Sequence, residues 1–175
     1  LKHHRRVAAA GPSGFGVGTR EPTLTPGAMP EKSRAQVLSD LGMQCFQKGD
    51  TAKGVGFFEQ ALALVESDTS DSLLVTLLMN LGVSQTVLGD TAASLRYLER
   101  ALAIQEKELG ESSPDLVGTL QNLTVVCTKL GDTTKAATYM ARAGEIEAKV
   151  KMDAKVKELE ASQGPKIEEV KEGTQ

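Results

Sequence analysis

Two adjacent histidines, two cysteines and a glycine-rich run are the residues of this 175-residue chain whose types could support chemistry. Their spacing argues against each use. His3 and His4 are neighbours with no second pair of ligating side chains to complete a coordination shell, so no metal site is expected. The run from Gly11 to Gly18 lacks the Gly-Lys-Ser/Thr ending that lets a phosphate loop reach a nucleotide, and no strand precedes it. Cys45 and Cys127 each follow a leucine, Leu41 and Leu123, by four residues, a placement that a small buried side chain explains without a redox role. A Cys/His nucleophilic pair cannot be assembled, because both cysteines read as core and both histidines lie near the amino terminus. No catalytic residue, cofactor or metal ligand is assigned, and the chain is not expected to be an enzyme.

The elements that would have to position any other functional group are written as a repeat. Leu81-Gly82 is followed, after six intervening residues, by Gly89-Asp90-Thr91; the same spacing joins Leu41-Gly42 to Gly49-Asp50-Thr51 and Leu123-Thr124 to Gly131-Asp132-Thr133. An alanine stands eleven residues beyond each aspartate, at Ala61, Ala101 and Ala143. Cys45 and Cys127 fall in the first and third copies, too far apart for a disulfide, whose Cα atoms must approach to about 7 Å.

Composition agrees with close-packed helices. Forty per cent of the residues are apolar, with no Trp, two Tyr and four Phe, which suits an all-α fold better than a sheet rich in aromatics. The formal charge of -3 gives no reason to expect nucleic acid. No apolar run approaches the roughly 20 residues of a transmembrane helix.

Residues 1–30 are a different material, a basic Gly/Pro-rich segment expected to be an extended tail. Its first twenty residues carry Lys2, Arg5, Arg6 and Arg20 and no acid. A basic, acid-free beginning is how organelle transit segments look, so a plastid or mitochondrial lumen or matrix is the expected location, with the cytoplasm otherwise. Starting at Leu1 instead of Met, the chain reads as a processed product or a fragment.

Helical periodicity begins at Glu31. Leu38, Leu41, Cys45 and Phe46 mark the inner face of a first helix over 31–48, which Gly49 ends by taking positive φ. Asp50 or Thr51 caps a second, with Phe57, Phe58, Ala61, Leu62 and Leu64 inward. A polar linker at 67–70 leads to a second hairpin, 71–88 and 91–109. Gly110 then stops a helix, and Ser113 caps the next with Pro114 in its first turn. The third hairpin is 114–130 and 133 onward, its last helix overrunning to 162 to cover the final apolar face and then project; 163–175 is expected to be a charged tail. The array thus spans 31–162, with repeats at about 31–66, 71–109 and 114–148.

These three copies resemble the tetratricopeptide repeat family, through Leu38, Leu41, Gly42, Gly49, Asp50, Gly54, Phe58 and Ala61 and their counterparts at 78–101 and 120–143. Gly-Asp recurs after 40 and then 42 residues, which is similar to the kinesin-light-chain variant of the repeat. The resemblance implies three tandem helix-turn-helix units in a short right-handed solenoid with an extended last helix. It also implies that the first helix of each hairpin lines a concave groove for a protein segment.

On that reading Ser39, Asp40, Met43, Phe46 and Gln47 face the groove in repeat one. Met79, Asn80, Val83, Thr86 and Val87 do so in repeat two, and Gln121, Asn122, Val125 and Lys129 in repeat three. Asp40, Asn80 and Asn122 would form a polar ladder able to hold an extended backbone, with the apolar members supplying affinity. Lys129 alone cannot clamp an acidic tail, so a mixed apolar and polar ligand is expected. The implied function is a non-catalytic protein-binding scaffold. The alternative is a structural accessory subunit of an organelle complex, with the amino-terminal tail threaded along its partners. No homo-oligomer is indicated.

Overall fold

A computed structural model of the chain describes residues 30–67 and 72–162. The expectations for the amino-terminal tail, for the 67–70 linker beyond its first residue and for residues 163–175 lie outside them. The described residues form helices only: α1 (Glu31–Gln47), α2 (Thr51–Val65), α3 (Ser72–Leu88), α4 (Thr91–Leu109), α5 (Leu116–Leu130) and α6 (Thr133–Ser162).

Each Gly-Asp pair makes one sharp reversal. Gly49, Gly89 and Gly131 sit at φ of 84°, 88° and 77°, where a Cβ would crowd the residue's own backbone. The following aspartate then accepts from the amide three residues on, Lys53, Ala93 or Lys135, at 3.3, 2.9 and 3.0 Å. That bond satisfies one of the free amides at the start of α2, α4 and α6. Consecutive helices therefore fold back antiparallel, and α1 packs on α2, α3 on α4 and α5 on α6. The pairs stack through α2 against α3 and α4 against α5, while α1 meets α3 and α3 meets α5 along a second line.

The core lies between these layers. Phe58, Ala61, Leu74, Leu77, Leu78 and Leu81 anchor one cluster, and Leu98, Leu116, Leu120, Leu123 and Val126 the other. Small residues set how closely helices approach. A Cβ on Gly42 would fall 2.6 Å from the Phe58 ring, and one on Gly82 2.6 Å from Leu98. Ser94 uses the same closeness to donate to the Gly82 carbonyl at 2.7 Å. Between α4 and α5, buried Thr119 donates to Gln105 Oε1 at 2.6 Å, so the polar pair inside the stack satisfies itself.

Several expectations are corrected. In α1 the buried residues are Ala35, Ser39 and Gly42, whereas Leu38, Cys45 and Phe46 are half-buried. Leu41 is 38% exposed although Leu81 and Leu123 are fully buried, because no helix among the described residues precedes α1 to cover that side. Helix α5 starts at Leu116, not Pro114; Ser113 and Pro114 make a preceding turn in which their carbonyls accept from Leu116 and Val117 at 3.2 and 3.1 Å. Cys127 is buried, Cys45 only half-buried, and both thiols are free. The end of α6 covers nothing: every residue from Ala148 to Ser162 is exposed, and Val125 and Met140 stay open at the end of the stack.

Candidate functional site

Helices α1 and α3 run side by side, and between them lies a recess of about 110 Å³ lined by Met43, Phe46, Phe58, Asn80, Val83 and Ser84. Four of these, Met43, Phe46, Asn80 and Val83, come from the groove set read from the sequence. The recess exists because Gly42 has no side chain: Phe58 on α2 slides against it and forms the floor. Val83, one residue beyond the equivalent Gly82, forms a wall.

Asn80 is the polar member. It is half-buried, and its amide makes no hydrogen bond among the described residues. An amide carries two donors and two acceptor lone pairs, so Asn80 offers unspent hydrogen bonds at an otherwise apolar recess. Phe58 and Ser84 are contributions the sequence reading missed. Periodicity places Phe58 in the inner stripe of its helix, and the Gly42 opposite it is the signal that its ring reaches through to the other side.

The remaining groove residues are not gathered on this recess. Ser39 is buried in the stack. The Met79 sulfur lies 3.5 Å from the Thr119 hydroxyl, so it packs toward α5. Thr86 donates to the Ser94 hydroxyl at 2.7 Å, with its own oxygen 3.0 Å from the Gly82 carbonyl, and so turns toward α4. Lys129 donates to the Thr86 carbonyl at 3.4 Å, where a cation meets the negative end of α3. Asp40 is exposed and accepts from Gln36 at 3.0 Å; Gln47 and Val87 are exposed, and Asn122 is half-buried.

Gln121 and Val125 line a second, wider recess of about 410 Å³ between α5 and α6, together with Thr124, Met140, Ala143, Gly144 and Glu147. Gln121 donates there to Glu147 at 3.2 Å. In this third repeat Thr124 replaces the glycine found at 42 and 82, and Met140, the counterpart of Phe58 and Leu98, is 64% exposed. The recess is therefore the end of the stack rather than a continuation of the α1–α3 surface.

Among the described residues no group of three or more His, Cys, Asp or Glu is placed to hold a metal ion. No helix there is long and apolar enough to cross a membrane. Burial pushes the Cys127 thiol above its ordinary value, with the Asp132 carboxylate adding to the shift, so this cysteine is held as a neutral thiol.

Residues 72–146 match the family model for the tetratricopeptide repeat. No curated protein matches the chain significantly in sequence. Among solved structures, BtubC (BKLC) from P. vanneervenii is 28% identical with a TM-score of 0.62, over 67% of this chain and 48% of that one. The TPR domain of Arabidopsis FLU is 22% identical with a TM-score of 0.59, over 70% of this chain and 99% of that domain. A Podosopora anserina protein with nearly identical TPR-like repeats, named for kinesin light chain, is 20% identical with a TM-score of 0.61, over 70% of this chain and 58% of that one. This chain thus spans about half of BtubC and somewhat more of the Podosopora protein. Taken with the stacked helical hairpins and their Gly-Asp turns, the matches make residues 72–146 a tetratricopeptide-repeat segment and give the array the fold of tetratricopeptide-repeat structures.

Proposed function

We propose that the array is a non-catalytic docking module that holds a protein segment across α1 and α3, with one apolar side chain of that segment in the Met43–Phe46–Val83 recess. Arrays of this fold serve in general as protein–protein interaction modules, and that coarser statement rests on the family match and the shared fold. The finer reading is carried by one observation: Asn80 presents a half-buried amide with no partner among the described residues beside an apolar recess of about 110 Å³. Burial of an aliphatic side chain supplies affinity there, and the amide fixes the register of the bound backbone at about 0.5–1.5 kcal/mol per hydrogen bond. The accessory-subunit alternative, with an organelle location, is supported only by the basic, acid-free residues 1–20, which lie outside the described residues.

The test is selection of peptides from a random library on the full chain, followed by titration against Asn80→Ala and Val83→Glu. The reading expects the selected peptides to share an aliphatic position. It expects Asn80→Ala to weaken them about tenfold, equivalent to about 1.4 kcal/mol, with an unchanged circular dichroism melt. Peptides that bind wild type and both variants equally would remove the recess as the site.

A further inference from the structure

Helix α6 runs well past anything it packs against. Its buried residues are Ala136, Ala143 and Ile146. The fifteen residues from Ala148 to Ser162 are all exposed and, at about 1.5 Å per residue, make an arm about 22 Å long. An arm whose only task was to stay in water would be polar on every side. This one is not: Met152, Val156 and Leu159 recur at spacings of four and three and are 65%, 43% and 49% exposed. At 3.6 residues per turn they form a stripe on the far side of the helix from Ala143 and Ile146, so the stripe is not the core face continued.

The spacing assigns the stripe to heptad positions d, a and d. A β-branched residue at a with leucine at d, as in Val156 and Leu159, is the combination that favours two parallel strands. The flanking charges select both partner and direction. In this frame Lys155 is at g, and Asp153 and Glu160 are at e. In a parallel pair each g position faces the e position of the next heptad on the other strand, which sets Lys155 against Glu160 twice by symmetry. In an antiparallel pair g faces g and e faces e, setting Lys155 against Lys155 and the acids against each other. The arm is complementary to itself in one orientation only.

We infer that the α6 arm is a self-association element, through which a second copy of this chain pairs in parallel along Met152, Val156 and Leu159. The ordering cost is low because the helix is already formed as an extension of the folded hairpin, so no new helix has to nucleate. Within one chain Lys155 pairs with Glu158 at 2.9 Å; that exposed contact is weak and is readily exchanged for Glu160 of the second copy. With only two heptads available the association is weak and is governed by concentration.

Sedimentation of the full chain from low into upper micromolar concentration tests this. The mass is expected to rise from 18.5 kDa toward twice that value. Val156→Asp with Leu159→Asp should abolish the rise while leaving the circular dichroism melt of the dilute protein unchanged. Lys155→Glu alone and Glu160→Lys alone should each weaken pairing several-fold, and the two exchanged together should restore it. A wild-type chain that stays monomeric throughout overturns the inference. So does an exchanged double variant that pairs no better than the single ones, because only parallel g-to-e contacts predict that rescue.

Discussion

Arg142 on α6 stands to Glu106 on α4 as Arg100 on α4 stands to Glu66 at the end of α2. Both arginines lie eleven residues past the turn glycine of their hairpin, and both glutamates seventeen past theirs, so one ion pair is repeated between successive outer helices. The two copies differ in burial. The Arg142 and Glu106 side chains are 29% and 28% exposed, against 40% and 55% for Arg100 and Glu66, and Arg142 also donates to the Glu111 carbonyl at 3.0 Å. Arg142→Ala should therefore cost about 1–2 kcal/mol and Arg100→Ala less than about 1 kcal/mol. Thermal midpoints of the two variants, measured beside wild type at low and high salt, check the order, with the Arg100 effect the more strongly screened.

Gly82 and Gly118 make opposite predictions for the same substitution. A Cβ on Gly82 would meet Leu98 at 2.6 Å, so Gly82→Ala overpacks the α3–α4 contact and should destabilise by about 1–3 kcal/mol despite alanine's better helix propensity. A Cβ on Gly118 meets nothing within 4 Å, and Gly118→Ala should stabilise by up to about 1 kcal/mol. Urea midpoints moving in the same direction for both variants would contradict the close-approach account.

Ending the chain at Val150 should leave the melting temperature of the dilute protein essentially unchanged, since Lys151 to Ser162 bury nothing against the array. A fall of several degrees would show that the arm supports α5 and α6 in a way the exposed side chains do not suggest.

Alkaline pH should weaken the fold. Burial raises the Cys127 thiol above its ordinary 9.0, with Asp132 adding to it. Burial also raises Tyr97 and Tyr139 above 10.0, helped by Glu59 and Glu99 respectively. The unfolded chain ionises at the lower, ordinary values. The stability these groups contribute is therefore full below about pH 9 and is lost as pH rises through their folded values. Urea midpoints should begin to fall near pH 9, and a thiol reagent should label half-buried Cys45 before Cys127.

The hairpins were legible because their signals are local: a glycine that must take positive φ and an aspartate that caps the next turn act within five residues of each other. Surface positions depend on something periodicity does not encode, namely whether a neighbour is present. Leu41 and Leu81 occupy the same place in their repeats, yet only Leu81 has a helix over it. Met140 likewise shares a position with Phe58 but lacks the glycine that draws Phe58 inward. Their places in α3 and α5 assign Met79 and Lys129 to the groove. Long side chains reach across to whatever lies nearest, here Thr119 and the Thr86 carbonyl. Asn80, short and branched by its amide, stays where its backbone puts it, beside the recess.

Packing only between adjacent layers has a mechanical consequence. No helix in the first hairpin touches one in the third, apart from the shared contact each makes with α3, so tension applied at the two ends is carried through two successive joints, α2 on α3 and α4 on α5. Under load such a molecule yields one hairpin at a time instead of all at once. The joint between α4 and α5 carries, besides its apolar contacts, the enclosed Gln105–Thr119 bond, with the Arg142–Glu106 pair tying α6 to α4 beside it.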